Sequence, residues 1–146
     1  MNYYLFVATV SLVFQLAVLG LLLTGFELKR KTRFRHHGLV MLVALVAHLT
    51  VILAVMVPSF VLALVPITLE NPTSVIGVLA PIHAAAGSIA AVLGVWVVGS
   101  WRLRRSLEFC APKRKVMRAT FIMWLVSLSL GVLFYLVLNW TFLFGS

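Results

Sequence analysis

Four long apolar runs, none of them interrupted by Asp, Glu, Lys or Arg, constrain this chain more than any other feature. They cover about residues 3–26, 38–64, 76–101 and 119–144. A membrane-crossing helix needs about 20 apolar residues, and each run supplies that number or more. A transmembrane β-barrel would instead show segments of about 10 residues with alternating polarity. Continuous runs of this length read as helices. The chain is 63% hydrophobic and 10% charged, against about 45–50% and 25% in soluble domains. A soluble globular fold is excluded. Four spans and their connections use up the 146 residues, which leaves no room for a soluble catalytic domain. The expected fold is all-α: a single integral-membrane four-helix bundle over residues 1–146.

The charges orient this bundle. Lys29, Arg30, Lys31, Arg33 and Arg35 fill the first connection. Arg102, Arg104, Arg105, Lys113, Arg114, Lys115 and Arg118 fill the third. Together they are all 12 Lys and Arg of the chain, against three acidic residues. The middle connection has no cation and carries Glu70. The positive-inside rule then places both basic loops in the cytoplasm and both termini outside, as in a multi-pass protein of a prokaryotic cell membrane. In a soluble protein a net charge of +9 would suggest nucleic acid; here it is an orientation signal, and no nucleic-acid partner is expected. Besides topology, the basic face has two readings: attraction to anionic lipid headgroups, or a dock for an acidic partner. Trp101 and Trp140 fall at opposite interfaces, with Tyr3 and Tyr4 at the outer one. Met1-Asn2-Tyr3-Tyr4 has no basic leader, so a cleaved secretory signal is not expected. Cys110, the single cysteine, cannot form an internal disulfide and is in keeping with a reducing side.

The outer connection admits two arrangements. Pro58 can kink or end the second helix, and Pro81 suits the first turn of the third. If both mark ends, residues 58–80 form an apolar outer segment at the interface. If the helices run through them, the loop shrinks to about residues 68–74, centred on Glu70-Asn71-Pro72-Thr73, and the sequence leans to this second form. The two halves share one plan of helix, basic loop and helix.

The spans hold no Asp, Glu, Lys or Arg. Proton pumps, ion-coupled transporters and voltage sensors carry such residues, and no paired Asp or HExxH offers an intramembrane protease its tools. Function therefore has to be sought in neutral polar groups. Counting about 1.5 Å per residue from the basic end places His48 and Gln15 near mid-membrane. His83 falls in the outer leaflet, near the level of Met56, Tyr135 and Asn139. His36 and His37 sit at the basic start of the second helix. Histidines in a membrane bundle are the usual axial ligands of b-type haem. Gly87, one turn from His83, and the small residues Ala84, Ala90, Ala91 and Gly94 could leave space for a macrocycle. His48 and His83 differ by roughly 10 Å in depth, so a His83–Met56 pair or a single histidine suits one haem b better than a His48–His83 pair. The other reading is internal hydrogen bonding, His48 with Gln15 and His83 with Asn139 or Tyr135, with Gly87-x-x-x-Ala91 and Ala90-x-x-x-Gly94 serving close helix approach. Lipid or quinone contact is a third use for these histidines.

Three stretches carry a likeness to a family. They are Arg35-His36-His37-Gly38-Leu39-Val40-Met41 at the second helix, Pro81-Ile82-His83 in the third, and Met117-Arg118-Ala119-Thr120-Phe121-Ile122-Met123-Trp124 at the fourth. The chain resembles the small four-helix membrane proteins of unknown function encoded beside haem–copper oxidase genes and implicated in oxidase assembly. The likeness covers most of the chain in order, through short motifs. It implies a bundle close to respiratory complexes, with His37 and His83 matching two histidines typical of the family and open to metal or haem ligation. Two further family histidines are absent. Pro58-Ser59 stands near the outer end of the second helix, Lys113 stands before the fourth, and His48 is this chain's own. The functional candidates are thus an accessory or assembly subunit of a haem-containing membrane complex, a cytochrome b-like electron-transfer protein, and a structural subunit that binds lipid and neighbouring helices. Candidate cofactor contacts are His83, His48, Met56 and Gly87, and candidate metal ligands are His83, His48 and His37.

Overall fold

The computed structural model describes residues 3–104 and 114–144. Arg105, Cys110 and Lys113 lie outside the described residues, as do the side chains of Tyr3, Tyr4, Arg102, Arg104 and Arg114. Everything regular in the described residues is helical. Helix α1 is Tyr3–Arg30, α2 spans Phe34–Glu70, α3 is Val75–Arg104 and α4 is Arg114–Phe144. All four are long and apolar enough to cross a membrane, as the helices of a multi-pass membrane protein are.

The helices extend past the apolar runs at the basic end. Helix α2 begins at Phe34 and α4 at Arg114, several residues before the first uninterrupted apolar stretch. Long Lys and Arg side chains carry their charge outward while their backbone stays helical. In a low-dielectric setting, every residue kept in the helix keeps its backbone polar groups paired.

Tight turns join α1 to α2 and α2 to α3. The first is closed by Arg33 N–H to the Leu28 carbonyl (2.9 Å) and Thr32 N–H to that of Lys29 (3.1 Å). This is the crossed pattern of a helix end whose next residue is left-handed. Thr32 holds that position at φ 58°, although a β-branched residue is strained there. At the other end, Ser74 caps α3: its Oγ accepts from Gly77 N–H at 3.0 Å and donates to the Asn71 carbonyl at 2.8 Å. A Cβ on Gly77 would collide with that same Asn71 carbonyl, so the turn requires glycine at this position.

Helix α2 runs straight through Pro58 and Pro66. It is α-helical over Phe34–Val51, Val57–Ser59 and Val65–Glu70, with π-helical turns at Ile52–Met56 and Phe60–Leu64. Val57 N–H bonds the Ile52 carbonyl and Val65 N–H bonds that of Phe60, each five residues back. Each widened turn ends two residues before a proline. The ring clashes with the carbonyl four residues earlier and offers it no N–H, and widening the turn relieves the clash. Pro81 likewise lies inside α3. The connection between α2 and α3, at the end away from the basic residues, is therefore the short turn of residues 71–74.

The helices form a square. Helix α1 packs on α2 and α3 on α4, and the two hairpins join through α2 on α3 and α1 on α4. The core sits where all four meet: Val18 and Leu22 of α1, Ala44 and Leu45 of α2, Ala90 of α3 and Trp124 of α4. Ala44 and Ala90 are wholly buried. Small residues at these crossings let backbones approach, which is how membrane helices gain packing energy without a hydrophobic drive between them.

Candidate functional site

Three polar stations line the bundle from its basic end upward. At the first, His37 Nδ1 lies 2.7 Å from the Gly25 carbonyl. A carbonyl only accepts, so Nδ1 carries the proton and Nε2 is left as an acceptor. A Cβ on Gly25 would strike the Met41 methyl, and one on Gly38 would enter the Trp101 ring. These two glycines let α1, α2 and α3 close in. Beside His37 opens a cavity of about 240 Å³. Its walls include Phe26, Phe34, Met41, Trp101 and Phe121, and its charged groups are Lys29 and Arg118. Phe26 and Phe121 stack with centroids 6.5 Å apart and planes 19° from parallel.

The second station is His48, 2% exposed and the largest wholly enclosed side chain described. Its Nδ1 meets Gln15 Oε1 at 3.3 Å, an α2–α1 link in which the ring donates to the amide oxygen. The ring also lies edge-on to Trp124 of α4, with centroids 4.9 Å apart and planes 68° apart. His48 Nε2, Gln15 Nε2 and Trp124 Nε1 are all buried without a hydrogen-bond partner among the described residues. The pairing of His48 with Gln15 is the one that counting residues along the helices suggests.

The third station is His83. Its Nδ1 is 3.0 Å from the Ser127 backbone carbonyl of α4, rather than against Asn139 or Tyr135. A Cβ on Gly131 would lie 3.0 Å from His83 Cε1, and a Cβ on Gly87 would lie 3.2 Å from Ser127 Oγ. Gly131 thus makes room for the imidazole, and the space beside Gly87 is taken by Ser127. Tyr135 instead bonds Thr9 Oγ1 at 3.1 Å across α1 and α4. Thr9 gives its own proton to the Leu5 carbonyl, so the phenol is the donor. Met56 sits in the first π-helical turn of α2, which holds no buried residue.

The sequence places His48 and His83 roughly 10 Å apart in depth, yet they touch α4 at Trp124 and Ser127, three residues and about 4.5 Å of rise apart. His37, His48 and His83 each occupy Nδ1 and leave Nε2. That is the tautomer a metal-ligating histidine adopts when its second nitrogen is fixed by a carbonyl. No group of three or more His, Cys, Asp or Glu able to hold a metal ion occurs among the described residues. The basic-end cavity went unnoticed in the sequence; its only signal there is the pairing of glycines with aromatic residues near Lys29 and Arg118.

No protein-family model, no curated protein and no solved structure matches this chain.

Proposed function

We propose that the chain is an accessory or assembly subunit of a larger haem-containing membrane complex of the respiratory type, without catalysis of its own. It sits in a prokaryotic cell membrane with both basic loops cytoplasmic and both termini outside. The observation that supports this reading is the far half of α2. From Ile52 to Glu70 no residue is buried, and Leu53, Leu62 and Leu69 are among the most exposed apolar side chains described. Lipid alone can cover an apolar face. It cannot supply donors, and Pro58 and Pro66 each remove one from the backbone ladder. The π-helical turns re-pair part of that ladder, and packing against a neighbouring helix is a further remedy in hydrocarbon.

Isolating the full chain from its native membranes in mild detergent tests this. A haem-containing complex should accompany it and should be released by Leu62→Ala/Leu69→Ala but not by Val92→Ala/Val126→Ala, which alters other exposed faces. A chain that comes away alone, or a complex indifferent to both pairs, contradicts the proposal.

A second reading, one haem b on this chain, draws support from the unpartnered Nε2 of His48 and the carbonyl-fixed Nδ1 of His83. The contact between Gly87 and Ser127 weighs against a macrocycle between α3 and α4 at His83. A reduced-minus-oxidised spectrum of the isolated chain decides: a b-type band lost in His48→Ala or His83→Ala supports it, and a colourless chain with haem supplied rejects it.

A further inference from the structure

The cavity at the basic end has a shape and charge that the subunit reading does not use. Its walls are apolar and aromatic, and two cations stand at it, Lys29 half-buried and Arg118 exposed. No acidic residue lines it among the described residues. Among the described residues the ion pair is Arg30 with Glu27, on the exposed side of α1, so Lys29 and Arg118 have no carboxylate partner there. The cavity also lies where the apolar spans give way to the basic ends, the depth at which a phosphate and the start of an acyl chain sit together.

We infer that this cavity is a specific site for one anionic phospholipid of the bilayer, its phosphate between Lys29 and Arg118 and its first acyl segment against the stacked Phe26–Phe121 pair and Trp101. This goes beyond a general attraction of basic loops for anionic membranes. It names a stoichiometric site, with the apolar part of the lipid filling space the helices leave open. His37 lines the same cavity, and its Nε2, the acceptor of the ring, suits a headgroup hydroxyl such as the glycerol of phosphatidylglycerol.

The full chain in mild detergent, examined by native mass spectrometry, tests the site. The probes are phosphatidylglycerol and phosphatidylcholine with the same acyl chains. One phosphatidylglycerol should be retained per chain, with phosphatidylcholine at least about tenfold weaker. Each basic side chain near an anionic surface is worth about fivefold, so Lys29→Gln/Arg118→Gln should weaken binding about 30-fold. Lys31→Gln/Arg35→Gln removes the same charge outside the cavity and should cost less than about threefold. Val97→Trp, which fills the cavity and leaves every charge in place, should abolish retention, with helix content checked by circular dichroism. Equal losses in the two charge pairs would reduce the effect to surface attraction and overturn the site. Displacement by excess inorganic phosphate would overturn the lipid in favour of a free anion. Absence of any preference for phosphatidylglycerol would also overturn it.

Discussion

From Phe34 to Val51, α2 buries Gly38, Ala44, Leu45, His48 and Val51 against its neighbours, whereas from Ile52 to Glu70 it buries none. Past Arg35, His36 and His37 the two halves are alike in apolarity, and both carry small residues, Ala44 and Ala47 in the first and Ala54, Ser59 and Ala63 in the second. What differs is that the first half has Gly38, where Trp101 comes close, and His48, which needs a partner, whereas the second has two prolines and neither glycine nor histidine. Within a bilayer, apolar character decides that a helix crosses. Close approach and hydrogen bonds decide what it packs against. A 37-residue helix, about 55 Å long at 1.5 Å per residue, also exceeds a hydrocarbon core of about 30 Å. It must tilt or project, and the half with no buried residue is the one free to do so.

The sharpest way to break this contrast is to truncate one leucine in each half. Leu45→Ala removes a side chain packed against Gly94 within the core and should cost about 2–3 kcal/mol, mainly through the cavity it leaves. Leu62→Ala, at a residue 78% exposed, should stay within about 0.5 kcal/mol. Reversible unfolding in mixed detergent measures both, and similar losses would erase the distinction. A smaller effect comes from close approach. Gly38→Ala drives a methyl into the Trp101 ring and should cost about 1–2 kcal/mol. Gly20→Ala, with nothing within 4 Å of the new atom, should cost nothing. The smallest effect is the coupling of His48 to Gln15. A double-mutant cycle with His48→Phe and Gln15→Leu should give an interaction of about 0.6 kcal/mol, typical of hydrogen bonds between membrane helices. A value near zero would mean that the 3.3 Å contact contributes packing alone.

Much of this architecture can be read from the sequence, because four apolar runs and two basic clusters leave little choice. The link between His48 and Gln15 is legible too, since counting residues at 1.5 Å each places them level. The partner of His83 is not. Counting from Trp101 and Ala119 misses the true helix ends, Arg104 and Arg114, but these offsets of three and five residues largely cancel, leaving about 3 Å. The rest of the displacement is the stagger of α4 against α3, which counting along each helix does not give. The true acceptor is also a backbone carbonyl, which every residue type possesses and no residue type announces. The π-helical turns were hidden for a related reason. Pro58 signals a disturbance but not whether the helix ends, kinks or widens, and Pro66 lies in a run that reads as uniformly apolar. The basic-end cavity is a property of how four helix ends diverge, which no single stretch of sequence encodes.

Amide hydrogen exchange of the isolated full chain in detergent tests the difference between the two halves of α2 most directly. Exchange reports local opening, and the widened turns, missing donors and lack of any buried residue over 52–70 should make their amides exchange at least about tenfold faster than those of residues 38–51. Uniform protection along the whole of α2 would contradict this picture and show that its far half is as firmly held as the half that carries His48.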